Sequence, residues 1–242
     1  MTHNALTKML GAGIFFVLAL LFFLHVVVAN PQGAQIVSNV TETAPIVSPG
    51  SSTTAGGSFT YLTLNSTSQT PRWKAYVGNV TGRFVLADGT GNAIYDWSLT
   101  AVSGQVFVSR SDSVDWSQLQ CAQEATILSE QSTLDMTASQ VDNINRTFNE
   151  TIHAAFWSGT TFFTQSSCRA IATYVGGEQQ TPDPNADFQV VLLEDTTNVV
   201  FAALLEQQQS GFDNRPYDFQ LIVPESDQEA TPTTYYFYTE LR

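Results

Sequence analysis

The spacing of apolar and polar residues changes several times along this chain. Residues 9–29 contain no Asp, Glu, Lys or Arg, and the run from Ile14 to Leu24 is as apolar as a bilayer interior. About 20 residues rising 1.5 Å each cross a hydrocarbon core of roughly 30 Å, so the segment has the length of a transmembrane helix. Residues 30–57 are mostly Ser, Thr, Pro, Gly, Ala and Val with no useful period, the composition of a flexible, partly extended stalk. From Ser58 a period near two sets in, rich in β-branched and aromatic residues, and it predicts strands over 59–64, 73–80, 83–87, 93–99 and 105–109. Asp88 to Asn92, with two glycines, is a turn signal between the third and fourth of these.

The period then shifts to that of a helix. Asp115 is placed to cap a helix starting at Trp116 or Ser117, and Cys121, Ala125 and Leu128 fall on one face of a helix running to about Leu134. A second helix is predicted over 138–148, with Val141, Ile144 and Phe148 as its apolar stripe. After an aromatic loop (Phe156, Trp157, Phe162, Phe163), strands return at 188–194 and 199–205, joined by a turn at Asp195–Asn198. These two runs are continuously apolar, which predicts strands covered on both faces. Segments 217–223 and 234–241 complete the set. The last holds Tyr235, Tyr236, Phe237 and Tyr238, with one face expected in the core; as a sheet edge it could pair with a neighbouring copy, and an interior position is the alternative. The expected fold class is therefore α+β: a mostly antiparallel β ectodomain of eight or nine short strands with about two helices, preceded by one transmembrane helix. The corresponding division is 1–8 cytoplasmic, 9–29 membrane segment, 30–57 stalk and 58–242 extracellular domain.

Charge orients the chain. Lys8 is the only charge before the apolar segment and no Lys or Arg follows until Arg72, so the positive-inside rule puts the N-terminus in the cytoplasm and the domain outside. Three fates fit residues 9–29. Their length favours retention as a signal-anchor. Val27, Val28 and Ala29 form an acceptable signal-peptide cleavage site. Lys8 to Gly11 loosely resembles a pilin-type processing site, although Phe15, Phe16 and Val17 stand where pilins usually carry an acidic residue. Beyond Ala29 lie all 22 acidic residues and eight of the nine basic ones, leaving −14. That charge disfavours nucleic acid as a partner, and equally an anionic lipid surface. Ser and Thr make up about a fifth of the chain, which suits an exported surface.

Candidate chemistry is sparse. Two cysteines in an exported chain, Cys121 and Cys168, most often form a disulfide, with two buried thiols as the alternative. Five Asn-X-Ser/Thr sequons mark Asn39, Asn65, Asn79, Asn145 and Asn149 as glycosylation candidates. The i, i+4 spacing of Asn145 and Asn149 puts both on the expected solvent side of the second helix. His153 is the only histidine outside the N-terminal segment, and a lone histidine beside an aromatic loop reads as structural. No nucleophile elbow, zinc-protease motif or phosphate-binding loop is present. The carboxylates Asp96, Asp115, Glu194, Asp195 and Glu206 could serve a glycoside hydrolase, but no spacing singles out a pair. The Asp88–Asn92 and Asp183–Asp187 stretches carry oxygen ligands, yet neither matches an EF-hand loop and both read as turns. The expectation is no catalytic residue, no cofactor and no metal.

Trp73 to Gly82, Ile94 to Trp97, Val114 to Trp116 ahead of Cys121, Tyr217 to Gln220 and Tyr236 to Tyr238 together form a pattern. It resembles a group of uncharacterised, membrane-anchored archaeal surface proteins, over residues 72 to the end. The resemblance implies an exported location and brings no activity. The function expected is a non-enzymatic, membrane-anchored cell-surface protein with an envelope, adhesion or recognition role. Its partners would be the membrane through residues 9–29, further copies, or other envelope proteins. The rivals are a pilin-like filament or envelope-lattice subunit, and an exported carboxylate hydrolase.

Overall fold

A computed structural model describes residues 30–226 and 232–242. The expected cytoplasmic N-terminus 1–8 and membrane span 9–29 lie outside the described residues, and among those described no helix is long and apolar enough to cross a membrane.

The centre is a hairpin of two strands. Here β10 (Gln189–Glu194) and β11 (Val199–Leu204) pair antiparallel, and all twelve residues are buried. Asp195 makes the turn because its carboxylate accepts the backbone N–H groups of Thr197 and Asn198. Beside β11 lies β5 (Gly104–Ser109), then β15 (Tyr236–Leu241), then the two-residue β1 (Gln32–Gly33), which pairs with Thr239 and Tyr238. The far edge of β10 is shared. Its first half takes β9 (Ala170–Ala172) and its second half takes β6 (Gln120–Cys121), every pairing antiparallel.

Both faces of this sheet are covered, which is why its central strands are uniformly apolar rather than alternating. On one face Val106, Val108, Val190, Leu192, Phe201 and Ala203 meet Ile127, Ile144, Phe148, Leu221 and Val223. On the other, Phe107, Val191, Leu193, Val200 and Ala202 meet Val114, Leu119, Phe156, Phe163 and Cys168. The first cover consists of α1 (Glu124–Thr133), α2 (Ile144–Thr147) and β14 (Phe219–Pro224), the last paired with β2 (Trp73–Gly78). The second includes the β7–β8 hairpin, Phe156–Ser158 with Thr161–Phe163. Two smaller pairs complete the strands: β3 (Arg83–Ala87) with β4 (Ala93–Ser98), and β12 (Gln209–Ser210) with β13 (Pro216–Tyr217). Among the described residues the fold is thus mostly antiparallel β with two helices.

Both helices are shorter than their patterns predicted. Asp115 does accept the Ser117 N–H, but it starts only a single 3-10 turn, Trp116–Gln118. Residues 120–122 are then taken by the sheet, with Cys121 opposite Leu193 and the Ala122 N–H donating to the Leu192 carbonyl. The helix begins afresh at Glu124, so its inward side chains are Ile127 and Gln131, while Leu128 is 44% exposed. The second helix starts late because Asn143 caps the Arg146 N–H and so sets the first turn there. Val141 is 80% exposed, whereas Ile144 and Phe148 are buried as expected.

The expected strand over 59–64 does not form; among the described residues no strand lies beside it, and Phe59, Tyr61, Leu62 and Leu64 are exposed. The stretch read as stalk is also tied down at its start. Gln32 and Gly33 pair with β15 and the Ala34 N–H donates to Phe237. Near the other end of the stretch that follows, the Thr70 hydroxyl donates to Asp142. Residues 35–69 therefore form a long exposed loop with both ends on the domain.

Candidate functional site

Polar side chains sealed in this interior have backbone as their main partner. Glu194, 2% exposed at the end of β10, accepts the Gln120 amide with one oxygen and the Gln123 N–H with the other, serving the entrance of α1. Asp218 accepts the N–H groups of Val80 and Gln208 and the Gln208 side-chain amide, joining the end of β2 to the chain after β11. Gln189 accepts from Ala154 N–H and donates to the Pro184 carbonyl. Gln220 accepts from Phe212 N–H and donates to Thr173 and Tyr174. A buried donor or acceptor without a partner costs roughly 1–3 kcal/mol, so each side chain holds its loop in place. Sequence reasoning missed Gln189, Asp218 and Gln220 in this role, because a polar residue at the boundary of an apolar run looks the same whether it faces water or a loop.

His153 belongs to the same group. It is fully buried, its Nδ1 lies 2.7 Å from the Ala154 carbonyl, and its Nε2 accepts from the N–H groups of Ser167 and Cys168 at 3.0 and 2.9 Å. Two donors aimed at Nε2 leave it bare, so Nδ1 carries the proton and the ring is neutral. Burial pulls its pKa below the ordinary histidine range, against the opposing Ala154 bond. Cys168 is joined to Cys121, with Cα atoms 5.0 Å apart. The bridge fastens β6 to the chain just ahead of β9, the two short strands that share one edge of β10.

Of the candidate carboxylates, Asp115 and Asp195 are brought together, beside Glu194. Asp96 is exposed and ion-paired with Arg83. Asp115 accepts from Ser117, and Asp195 closes its turn and also accepts the Asp115 N–H. Burial works to raise the Asp195 carboxyl, but bonds from Asn198, Asp115 and Thr197 hold it below the usual value. Glu206 is pushed up by burial and then by the nearby charge of Asp187, while the Phe188 N–H acts the other way. Asp187 itself accepts from Gln209. Asp88 and Asp183 use their oxygens inside their own turns, accepting from Thr90 and Asn92 and from Asn185. The Asn92 side chain and backbone, then Thr90, hold the Asp88 carboxyl far below the ordinary range. Among the described residues no three His, Cys, Asp or Glu side chains gather as metal ligands.

A groove of about 270 Å³ lies over β9, between residues 147–152 and 179–183. Its lining includes Asn149, Glu150, Gln180 and Asp183, without Glu206, Asp187 or His153. Of the sequon residues, Asn39, Asn65, Asn79 and Asn149 are exposed. Asn145 is half-buried: its amide donates to Glu124 at 2.9 Å and its oxygen accepts from Arg169. The predicted shared solvent side of Asn145 and Asn149 is thus split, because α2 ends at Thr147 and Asn145 turns toward α1.

Comparison with family models, curated proteins and solved structures finds no match for the chain.

Proposed function

We propose that this chain is a non-enzymatic protein of the outer cell surface, held at the membrane by residues 9–29 with its folded domain outside. The observation that carries the reading is the engagement of most of its buried polar side chains, the Gln105 Oε1 and Glu240 Oε1 being buried without a hydrogen-bond partner among the described residues. Glu194, Asp195, Asp218, Gln189, Gln220 and His153 all hold loops to the sheet. A catalytic acid, base or nucleophile must instead face substrate with a free lone pair or proton. The Cys121–Cys168 bridge supports an oxidising exterior. Exposure of Asn39, Asn65, Asn79 and Asn149 supports a glycoprotein.

Protease treatment of intact cells, alkaline extraction of their membranes and the intact mass of the isolated protein test this reading. The domain is expected to be digested on intact cells, to stay in the alkali-resistant pellet and to carry glycan mass. A protease-protected chain in the soluble fraction with two free thiols overturns it.

A further inference from the structure

Asn30, the first residue after the apolar segment 9–29, lies against the turn of the β7–β8 hairpin. A Cβ added to Gly159 in that turn would come 3.4 Å from the Asn30 Oδ1. Pro31 is buried, and Gln32 and Gly33 pair at once with β15. The turn is fastened to the same strand. The Gly159 N–H donates to Glu240 at 2.9 Å, the Gly159 carbonyl accepts from Arg242 at 2.7 Å, and Arg242 is ion-paired with Glu240. The folded domain therefore starts within one peptide bond of residues 9–29, with this hairpin turn at the junction.

The hairpin is aromatic on both faces. Its register pairs Phe156 with Phe163 and Trp157 with Phe162, so each pair shares one face. Phe156 and Phe163 are 7% and 4% exposed and stack inside the core. Trp157 and Phe162 are each 47% exposed on the outer face, their ring centroids 4.9 Å apart. Leaving two large rings half in water forgoes the free energy of covering them. Aromatic rings, Trp above all, are favoured at the headgroup level of a bilayer, where an apolar ring is covered and its polar N–H stays wet.

Distance decides what meets this pair. A bilayer about 40–45 Å thick around a core of about 30 Å leaves a headgroup layer of about 5–8 Å on each side. Adjacent Cα atoms are about 3.8 Å apart, so Asn30 lies in that layer when residues 9–29 span the core. Trp157 stands two residues from Gly159, about 7 Å along the strand, and Phe162 is level with it. Residues 30–41 and 154–168 contain no Asp, Glu, Lys or Arg, so neither segment carries a charge that the layer would have to desolvate. The geometry points to the β7–β8 hairpin as a second membrane contact, with Trp157 and Phe162 resting in the headgroup layer of a neutral bilayer beside residues 9–29. The inference rests on the reading of 9–29 as a membrane anchor. It sets how the domain sits, with this end on lipid and residues 35–69 as a loop of the domain rather than a stalk beneath it.

The test reconstitutes the full chain in phosphatidylcholine vesicles, with and without bromine on the acyl chains near the headgroups, and reads tryptophan fluorescence. Of Trp73, Trp97, Trp116 and Trp157, brominated lipid should quench chiefly Trp157. Trp157→Phe should therefore remove most of the quenched signal. Its thermal unfolding should stay close to that of wild type, because the ring lies on the outer face of the hairpin. Vesicle-bound protein that brominated lipid leaves unquenched, or whose quenching survives Trp157→Phe, overturns the contact while the anchor stands. A Trp157 shielded from acrylamide but not quenched by lipid also overturns it, in favour of a second copy as the cover. A chain that fails to float with the vesicles overturns the anchor and the contact together.

Discussion

Replacing His153 should separate two contributions that one buried ring makes. The ring accepts two backbone N–H groups at Nε2, from Ser167 and from Cys168, and Cys168 is 1% exposed. In His153→Ala the Cys168 N–H loses its partner inside the protein, at roughly 1–3 kcal/mol, whereas Ser167 is exposed enough for water to substitute. The cavity left against Phe156, whose ring centroid lies 5.8 Å away, adds to this. A total near 3 kcal/mol is expected, measured by urea unfolding at pH 7.5 with tryptophan fluorescence. His153→Gln keeps an acceptor near the Nε2 position and should recover a good part of that loss. The pH dependence gives a second, independent number. Burial lowers the folded pKa, so the unfolded chain takes up a proton before the folded chain does. Stability from this group is complete above the unfolded value of about 6.5 and is lost as pH falls through the folded value, by at most about 1.4 kcal/mol per pH unit. Wild type should lose stability between about pH 6.5 and 5 faster than either variant. Equal slopes in all three proteins, or a loss below about 0.5 kcal/mol in His153→Ala, would refute the assignment of a neutral, doubly accepting ring.

Three further outcomes are expected. Replacing Cys121 and Cys168 together by Ser should lower unfolding free energy by about 4 kcal/mol, because the bridge closes 47 residues; a loss under about 1 kcal/mol contradicts its role in holding β6 and β9. Gly104→Ala should lose about 2–4 kcal/mol, since Gly104 has φ +121° and an added Cβ would come 1.9 Å from the Glu240 carbonyl oxygen; unchanged thermal unfolding refutes that backbone geometry. In protein isolated from its native cells, Asn149→Gln should remove glycan mass and Asn145→Gln should not, because the Asn145 amide is held by Glu124 and Arg169. Glycan loss only in the second variant would invert the assignment.

Local chemistry was legible wherever it was also sufficient. The Asp88 and Asp195 turns form where their residue types demand them, and the uniformly apolar runs became the buried β10 and β11. Strands β3, β4 and β5 fall within a residue of their patterns. Helices fared worse because their boundaries were settled from outside. Residues 120–122 follow a helical period and nevertheless join the sheet, drawn there by the ladder with β10 and the bond to Cys168. The loop-holding roles of Asp218, Gln220, Gln189 and His153 depend on partners far along the chain, such as Val80 for Asp218 and Thr173 for Gln220. A sequence shows that these residues are polar and leaves unstated which backbone they will meet.

By itself, then, the sequence determined the strand-rich composition, the turns, the two-faced burial of the central hairpin, the cysteine pair and the uncharged apolar segment 9–29. Each depends on residues close in the chain or on bulk hydrophobicity. Only the tertiary structure decided that residues 32–34 close the sheet against β15, that no strand among the described residues lies beside 59–64, and that the β3–β4 ribbon keeps its aromatic face exposed. Strand-forming residues specify an extended chain and a wish for a partner, but the partner is chosen by which edges and faces the rest of the fold leaves open.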